Sequence, residues 1–254
     1  MRAALCIAGI VLLVSSVAAV AADPPYVGKW KLNSAKSDFG ELTATYEAVP
    51  GGGFKATMDG VSYTFKTDGK EVATPWGTMT SWKAINPTTW ESTSTTGGKP
   101  FSTDTVRLSA DGKTLTVDSK MASGATSSTT FTRVSGGPGL PGTWKAAKMS
   151  TAAGILDISA KGADGLVLKM VDMGATCDGK LDGKPNPATG PAFPSGWTCT
   201  FSKSGANGFT VAFTKDGKPM YSSTFTASAD GKTLTEAGGA VNTKEKTRVV
   251  YDRQ

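Results

Sequence analysis

The chain has 254 residues, with 27 lysines and arginines against 21 aspartates and glutamates, and it contains no histidine. The absence of histidine excludes Ser-His-Asp and Cys-His catalytic systems and zinc sites that use imidazole. The net charge of +6 is carried mainly by dispersed lysines rather than by a basic stripe, so we predict no nucleic-acid partner.

The first residues have the layout of a cleaved signal peptide. Arg2 precedes an unbroken apolar stretch, and small residues follow it as far as Ala22. The apolar stretch is shorter than the ~20 residues that a membrane-spanning helix needs. We therefore predict a signal peptide over residues 1–22 and a mature protein that is periplasmic or secreted, with no integral membrane segment after cleavage.

The mature chain contains an internal repeat. The octapeptide Ser-Ala-Asp-Gly-Lys-Thr-Leu-Thr stands at residues 109–116 and again at 228–235, an offset of 119 residues. A Gly-x-Trp sequence likewise occurs twice, ending at Trp30 and at Trp144. Residues 136–141 are rich in glycine and proline, which suits a short linker. The repeat predicts one domain over residues 23–135 and a second over 142–254.

Each copy is predicted to be all-β. Asp-Gly dipeptides recur between segments rich in threonine, valine and aromatic residues, which is a strong hairpin signal. No long segment has a helical period, and at most one helical turn is expected, around Asn33 to Ser37. We predict roughly eight to ten short strands per copy, arranged as two tandem antiparallel up-and-down β-barrels, because barrel closure removes exposed sheet edges.

Each copy has a tryptophan on its first strand and an arginine on its last strand. Barrel closure makes the first and last strands neighbours. We therefore predict that Trp30 pairs with Arg133 and Trp144 with Arg248, each guanidinium lying over an indole ring to close a barrel end. The alternative is that both arginines are solvated and both tryptophans are ordinary core residues.

These features resemble the lipocalin-like, or calycin, group, whose members open with Gly-x-Trp and place a late arginine over that tryptophan. More closely, residues 28–39, 45–48 and 250–254 and the repeated octapeptide look like a set of uncharacterised secreted bacterial proteins. The related intracellular carriers hold fatty acids with an Arg-x-Tyr pair. Arg248 and Tyr251 are three positions apart and would face opposite sides of a strand, so that mode of recognition is not implied.

The two copies differ most around Cys177 and Cys199. An even number of cysteines in an oxidising compartment favours one disulfide, although two unpaired buried thiols are the alternative. The second copy is longer between these cysteines, where it contains several prolines together with Phe193 and Trp197. A long ordered loop on a rigid scaffold often carries function, but a neutral insertion explains the same residues.

The sequence predicts no enzyme, no cofactor and no metal site. No glycine-rich phosphate loop precedes a helix, and no pair of acids is marked as catalytic. We predict an exported protein that binds a small apolar ligand inside its barrels, because barrels of eight or more strands can enclose a cavity. The candidate lining residues are Trp82, Trp90, Phe201 and Phe209. The alternative is a structural or protein-interaction module of the cell envelope with solidly packed barrels and an unknown partner.

Overall fold

The computed structural model describes residues 23–40, 42–58, 60–151, 154–242 and 246–254. The predicted signal peptide over residues 1–22 lies outside the described residues. The described part of the chain forms two ten-stranded antiparallel sheets, one a closed barrel and the other nearly closed. The predicted all-β class and the predicted pair of antiparallel barrels are therefore confirmed.

The first barrel uses ten consecutive strands, β2 (Thr43–Ala48), β3 (Phe54–Met58), β4 (Val61–Phe65), β5 (Asp68–Ala73), β6 (Met79–Asn86), β7 (Thr89–Thr96), β8 (Lys99–Leu108), β9 (Thr114–Met121), β10 (Thr126–Ser135) and β11 (Gly142–Thr151). The second barrel uses β1 (Gly28–Leu32), β12 (Ile155–Lys161), β13 (Gly165–Met170), β14 (Ala175–Lys180), β15 (Asn186–Thr189), β16 (Trp197–Lys203), β17 (Gly208–Lys215), β18 (Lys218–Ala227), β19 (Thr233–Ala240) and β20 (Thr247–Arg253). A short 3-10 helix covers Ser34–Lys36, as predicted, and a second one, at Val171–Met173, was not predicted. Among the described residues, no helix has the length and apolar character needed to cross a bilayer.

The first strands of the two copies are exchanged between the barrels. Strand β1 pairs with β12 and β20, with Trp30 opposite Leu156 on one side and Arg253 on the other. Strand β11 pairs with β2 and β10, so that Trp144 lies opposite Ala44 and Arg133. The predicted division at residues 136–141 therefore does not separate the strands of the two barrels, because β11 belongs to the first barrel and β1 to the second.

Local connectivity explains this exchange. Only residues 136–141 separate β10 from β11, and a short connection between antiparallel strands favours pairing of those two neighbours. Strand β11 thereby lies between β10 and β2 in the first barrel. The equivalent gap in the second barrel lies between β20 and β12, and β1 fills it.

One end of each barrel is closed by an arginine that lies over a tryptophan ring, an arrangement called a plug below. The partners differ from those that the sequence suggested. The guanidinium of Arg133 lies 4.0 Å from the ring centre of Trp144, and that of Arg253 lies 4.1 Å from the ring centre of Trp30. Both indoles have no exposed surface. The predicted pairs Trp30–Arg133 and Trp144–Arg248 are wrong, because the strand exchange gives each tryptophan to the other barrel.

The two plugs are built alike, which shows why Arg253 rather than Arg248 takes the second one. Arg133 Nε donates to the carbonyl of Gly112, and Arg253 Nε donates to the carbonyl of Gly231 in the repeated octapeptide. The repeat offset of 119 residues places the equivalent of Arg133 at position 252, one residue before Arg253. An alignment of the two copies without a gap therefore does not match the two arginines. The backbone of Arg248 instead bridges to Asp38.

The indole N–H groups complete both plugs. Trp30 Nε1 donates to the carbonyl of Tyr26 at 2.9 Å, and Trp144 Nε1 donates to that of Leu140 at 3.0 Å. A buried indole N–H without a partner would be destabilising, so the segment before each Gly-x-Trp has a defined role. The repeat is thus preserved at the level of single hydrogen bonds.

Cys177 on β14 and Cys199 on β16 lie next to each other, and neither has exposed surface. A hydrogen bond with Cys199, together with burial, raises the pKa of the Cys177 thiol. The two cysteines flank β15, which pairs with both of their strands. The segment between them is therefore more than a loop, since it supplies one strand of the second barrel.

Candidate ligand-binding site

The interior of each barrel is partly packed solid. Phe201 and Phe209 have no exposed surface, and the ring of Phe209 stacks on Phe225 with centres 5.0 Å apart. Trp90 is also buried in the core of the first barrel. None of these three predicted lining residues lies on the cavities described below. Trp82 does, since it borders the cavity of the first barrel.

Three adjoining cavities lie where the barrels meet. The first barrel encloses a cavity of about 220 Å³, and a cavity of about 400 Å³ enters the second barrel. A cleft of about 530 Å³ lies between them. The cleft and the cavity of the second barrel fall within the range of about 300–1,000 Å³ that is typical of small-molecule sites, and the cavity of the first barrel is smaller.

Shared lining residues show that the three cavities adjoin one another. Trp76, Thr78 and Ser94 border both the cleft and the cavity of the first barrel. Met170 and Phe213 are among the residues that border both the cleft and the cavity of the second barrel. We call this combined space the chamber. The sequence predicted a cavity inside the barrels. In the structure, the largest of the three cavities lies between the barrels.

The two barrels contact each other directly at the rim of the chamber. Trp76 of the first barrel donates from Nε1 to the hydroxyl of Tyr221 at 3.2 Å, and it accepts at its carbonyl from Trp197 Nε1 at 2.8 Å. On the same side, the hydroxyl of Thr96 donates to the carbonyl of Pro191 at 2.6 Å. These contacts fix the connection between β5 and β6 against the second barrel.

The segment that lengthens the second copy forms one wall of the chamber. Phe193 stacks on Phe213 with ring centres 5.0 Å apart, and it also packs on Trp197 at 5.2 Å. Trp197 in turn stacks on Tyr221 at 6.3 Å. Of the two interpretations of this segment, its position favours a role at the site over a neutral insertion.

Glu236 on β19 is the acid that borders both the cleft and the cavity of the second barrel. Tyr251 donates its hydroxyl hydrogen bond to Glu236 Oε2 at 2.8 Å, and Ser223 also hydrogen-bonds to this side chain. Burial of this carboxyl group raises its pKa above the ordinary value of 4.5. Glu236 is therefore a polar group placed in a mostly apolar wall.

The first barrel has its own buried acid, Asp104 on β8. Burial raises the pKa of Asp104, while a hydrogen bond from Ser119 opposes that change. Nearby, Tyr63 accepts a hydrogen bond from Trp82 Nε1 at 3.3 Å, and burial raises the pKa of Tyr63 as well. The two barrels thus place a carboxyl group on strands that do not correspond, since β8 is equivalent to β18 in the repeat, whereas Glu236 lies on β19.

A third acid, Asp172, borders the cavity of the second barrel but has a structural role. Its Oδ2 accepts from the backbone amides of Gly154 and Ile155 at 2.7 and 2.8 Å. No lysine or arginine occurs among the described residues that border the three cavities. The ionisable groups of the chamber wall are therefore acids and tyrosines.

Sequence reasoning did not identify the residues that matter most here. Trp76, Tyr221 and Glu236 were not singled out, because nothing in their local sequence marks them. Phe193 and Trp197 were noted only as parts of the longer segment. Within the described ranges, no group of three or more histidine, cysteine, aspartate or glutamate side chains is arranged to hold a metal ion.

Comparison with known proteins gave no match, whether to protein-family models, to curated proteins or to solved structures. The barrels are compatible with a lipocalin-like fold.

Proposed function

We propose that the protein acts after export as a binding protein for a small apolar ligand, held in the chamber between its two barrels. The observation that carries this proposal is that three cavities adjoin one another and share lining residues. Their walls are dominated by aromatic and aliphatic side chains, with a few hydroxyl and carboxyl groups. That combination is typical of small-molecule sites, in which apolar area supplies affinity and a few polar groups fix orientation.

The packing of the barrels limits where the ligand binds. The interiors around the tryptophan plugs are filled by their own side chains, so a ligand confined to that part of either barrel would find no room. The open space is at the junction, where both barrels and the longer segment of the second copy contribute walls. The ligand therefore contacts both copies of the repeat.

A neutral fluorescent dye such as N-phenyl-1-naphthylamine tests the proposal. We expect the mature protein to enhance its fluorescence, and the variant Ser94→Phe to bind it at least about tenfold more weakly, because the added ring occupies the junction of two cavities. Ser62→Phe is the matched control, since Ser62 is exposed on β4. Equal binding by both variants would contradict the proposed site.

Native mass spectrometry of protein purified from its own host, followed by organic extraction, addresses the natural ligand. A stoichiometric apolar companion is the expected result. Protein that is free of any companion and also fails to bind the dye would instead support the structural or interaction module of the envelope.

A further inference from the structure

The charge of the chamber is opposite to the charge of the protein. The whole chain carries a net charge of +6, yet the described residues around the chamber include Asp104, Asp172 and Glu236 and no lysine or arginine. An anionic ligand would lose its hydration there without gaining a cationic partner, which is strongly unfavourable. The wall therefore selects against carboxylates and other anions.

Glu236 has room for another hydrogen-bond donor. Tyr251 and Ser223 each bond to this carboxyl group, and a carboxylate offers about four acceptor positions. The group borders both the cleft and the cavity of the second barrel, so a ligand reaches it from either space. A donor on the ligand would thus complete the set of partners of Glu236.

Aromatic side chains border the same space. The side chains of Trp76, Phe213 and Tyr221 line the cleft together with Glu236. The faces of aromatic rings attract cations, and the attraction is larger where water is excluded. A buried carboxylate beside several aromatic rings is a favourable environment for an ammonium group attached to an apolar body.

We propose that the ligand is an apolar amine, whose ammonium group binds Glu236 while its hydrocarbon part packs against Phe193, Phe213 and Met170. This inference rests on the proposed function, because it names the chemical class that the same chamber takes. The ammonium group donates a hydrogen bond to the carboxylate, and the proton stays on the nitrogen. No covalent step is involved.

Three ligands of equal chain length test the inference at pH 7.5 with the mature protein, which comprises all residues after the predicted signal peptide. Octylamine, octanol and octanoate are compared by isothermal titration calorimetry. We expect octylamine to bind about tenfold or more tightly than octanol, as a charge-assisted hydrogen bond predicts, and octanoate to bind most weakly. This comparison needs no variant, so it does not depend on the folding of any mutant.

The variant Glu236→Gln assigns the effect to one residue. It keeps the shape of the side chain and removes the charge, so octylamine should bind about tenfold more weakly while the affinity for octanol stays the same. Glu91→Gln is the matched control, because Glu91 is exposed on β7. An unchanged preference for octylamine in Glu236→Gln would overturn the role of Glu236.

The outcomes separate the two proposals. Binding of octanol or octanoate without a preference for octylamine would overturn the amine inference and leave an apolar chamber in place. Failure of all three ligands, and of the neutral dye, would overturn the proposed function itself.

Discussion

Glu236 is the residue in which stability and binding oppose each other. Burial disfavours the ionised form of the Glu236 side chain in the folded protein. A cationic ligand bound next to this side chain would favour the ionised form. Tyr251, the titratable group in contact with it, has a pKa raised by burial and by the neighbouring carboxyl group, so it stays a neutral donor near neutral pH. A binding site that is destabilising when empty is a common feature of functional sites.

The raised pKa of Glu236 predicts the direction of a pH effect on stability. The folded protein retains the proton above pH 4.5, where the unfolded chain releases it, so the free energy of unfolding falls as pH rises through the folded-state pKa. Glu236→Gln should remove this contribution and should be more stable than the wild type at pH 7. Urea denaturation of both proteins between pH 4 and 8 measures the difference.

Glu91→Gln is the control in the same experiment, because that side chain is exposed. Asp104 contributes in the same direction in both proteins, since burial raises its pKa too. A wild type whose stability rises with pH across this range, relative to Glu236→Gln, would contradict the assigned direction.

At the scale of elements, the segment between Cys177 and Cys199 belongs both to the second barrel and to the wall of the chamber. Strand β15 fills a place in the closed barrel, and the residues after it, including Phe193, reach the aromatic wall of the cleft. Cys177 and Cys199 lie on the strands that flank β15. A bond between them would hold this element in position.

Both cysteines are free thiols in the structure, and their contact supports the proposal that they form a disulfide when the protein is exported. Two buried thiols in hydrogen-bond contact need little movement to be joined, and an oxidising compartment favours the bond. Alkylation without reduction, followed by digestion and mass spectrometry, should show one peptide pair that contains Cys177 and Cys199. Replacing both cysteines with alanine should lower the free energy of unfolding by about 3 kcal/mol.

Cytosolic expression of the same sequence without its first 22 residues provides the comparison for the cysteines. There we expect reduced thiols and a stability close to that of the double alanine variant. Two alkylated thiols in the exported protein would mean that the pair contributes to stability through packing alone.

The elements themselves could largely be predicted from the sequence. Asp-Gly dipeptides marked hairpins, and the repeated octapeptide marked equivalent turns, because turn chemistry is local. The chamber could not be predicted, since Trp76, Tyr221 and Glu236 come together only when two barrels pack at one particular junction. Aromatic residues in a barrel sequence do not reveal whether they face a cavity or fill the core, as Trp82 and Phe209 show.

At the scale of the whole molecule, the strand exchange joins the two barrels. Strand β1 closes the second barrel and precedes β2 of the first, while β11 joins β2 to β10 in the first barrel and precedes β12 of the second. The sequence could not distinguish this arrangement from two separate barrels. Both strands begin with Gly-x-Trp-Lys, so this motif does not indicate which barrel each strand joins.

The exchange predicts that each tryptophan stabilises the barrel in the other half of the chain. Trp30→Ala should cost about 3 to 5 kcal/mol, the usual loss for a buried tryptophan. Hydrogen–deuterium exchange should then speed up in β12 and β20, which pair with β1, and not in β2 or β10. Trp144→Ala is the matched variant, because it is equally buried and should show the reverse pattern, with faster exchange in β2 and β10. Faster exchange in β2 and β10 after Trp30→Ala would show that each copy closes its own barrel, and the shared chamber would then have to form between two independent units.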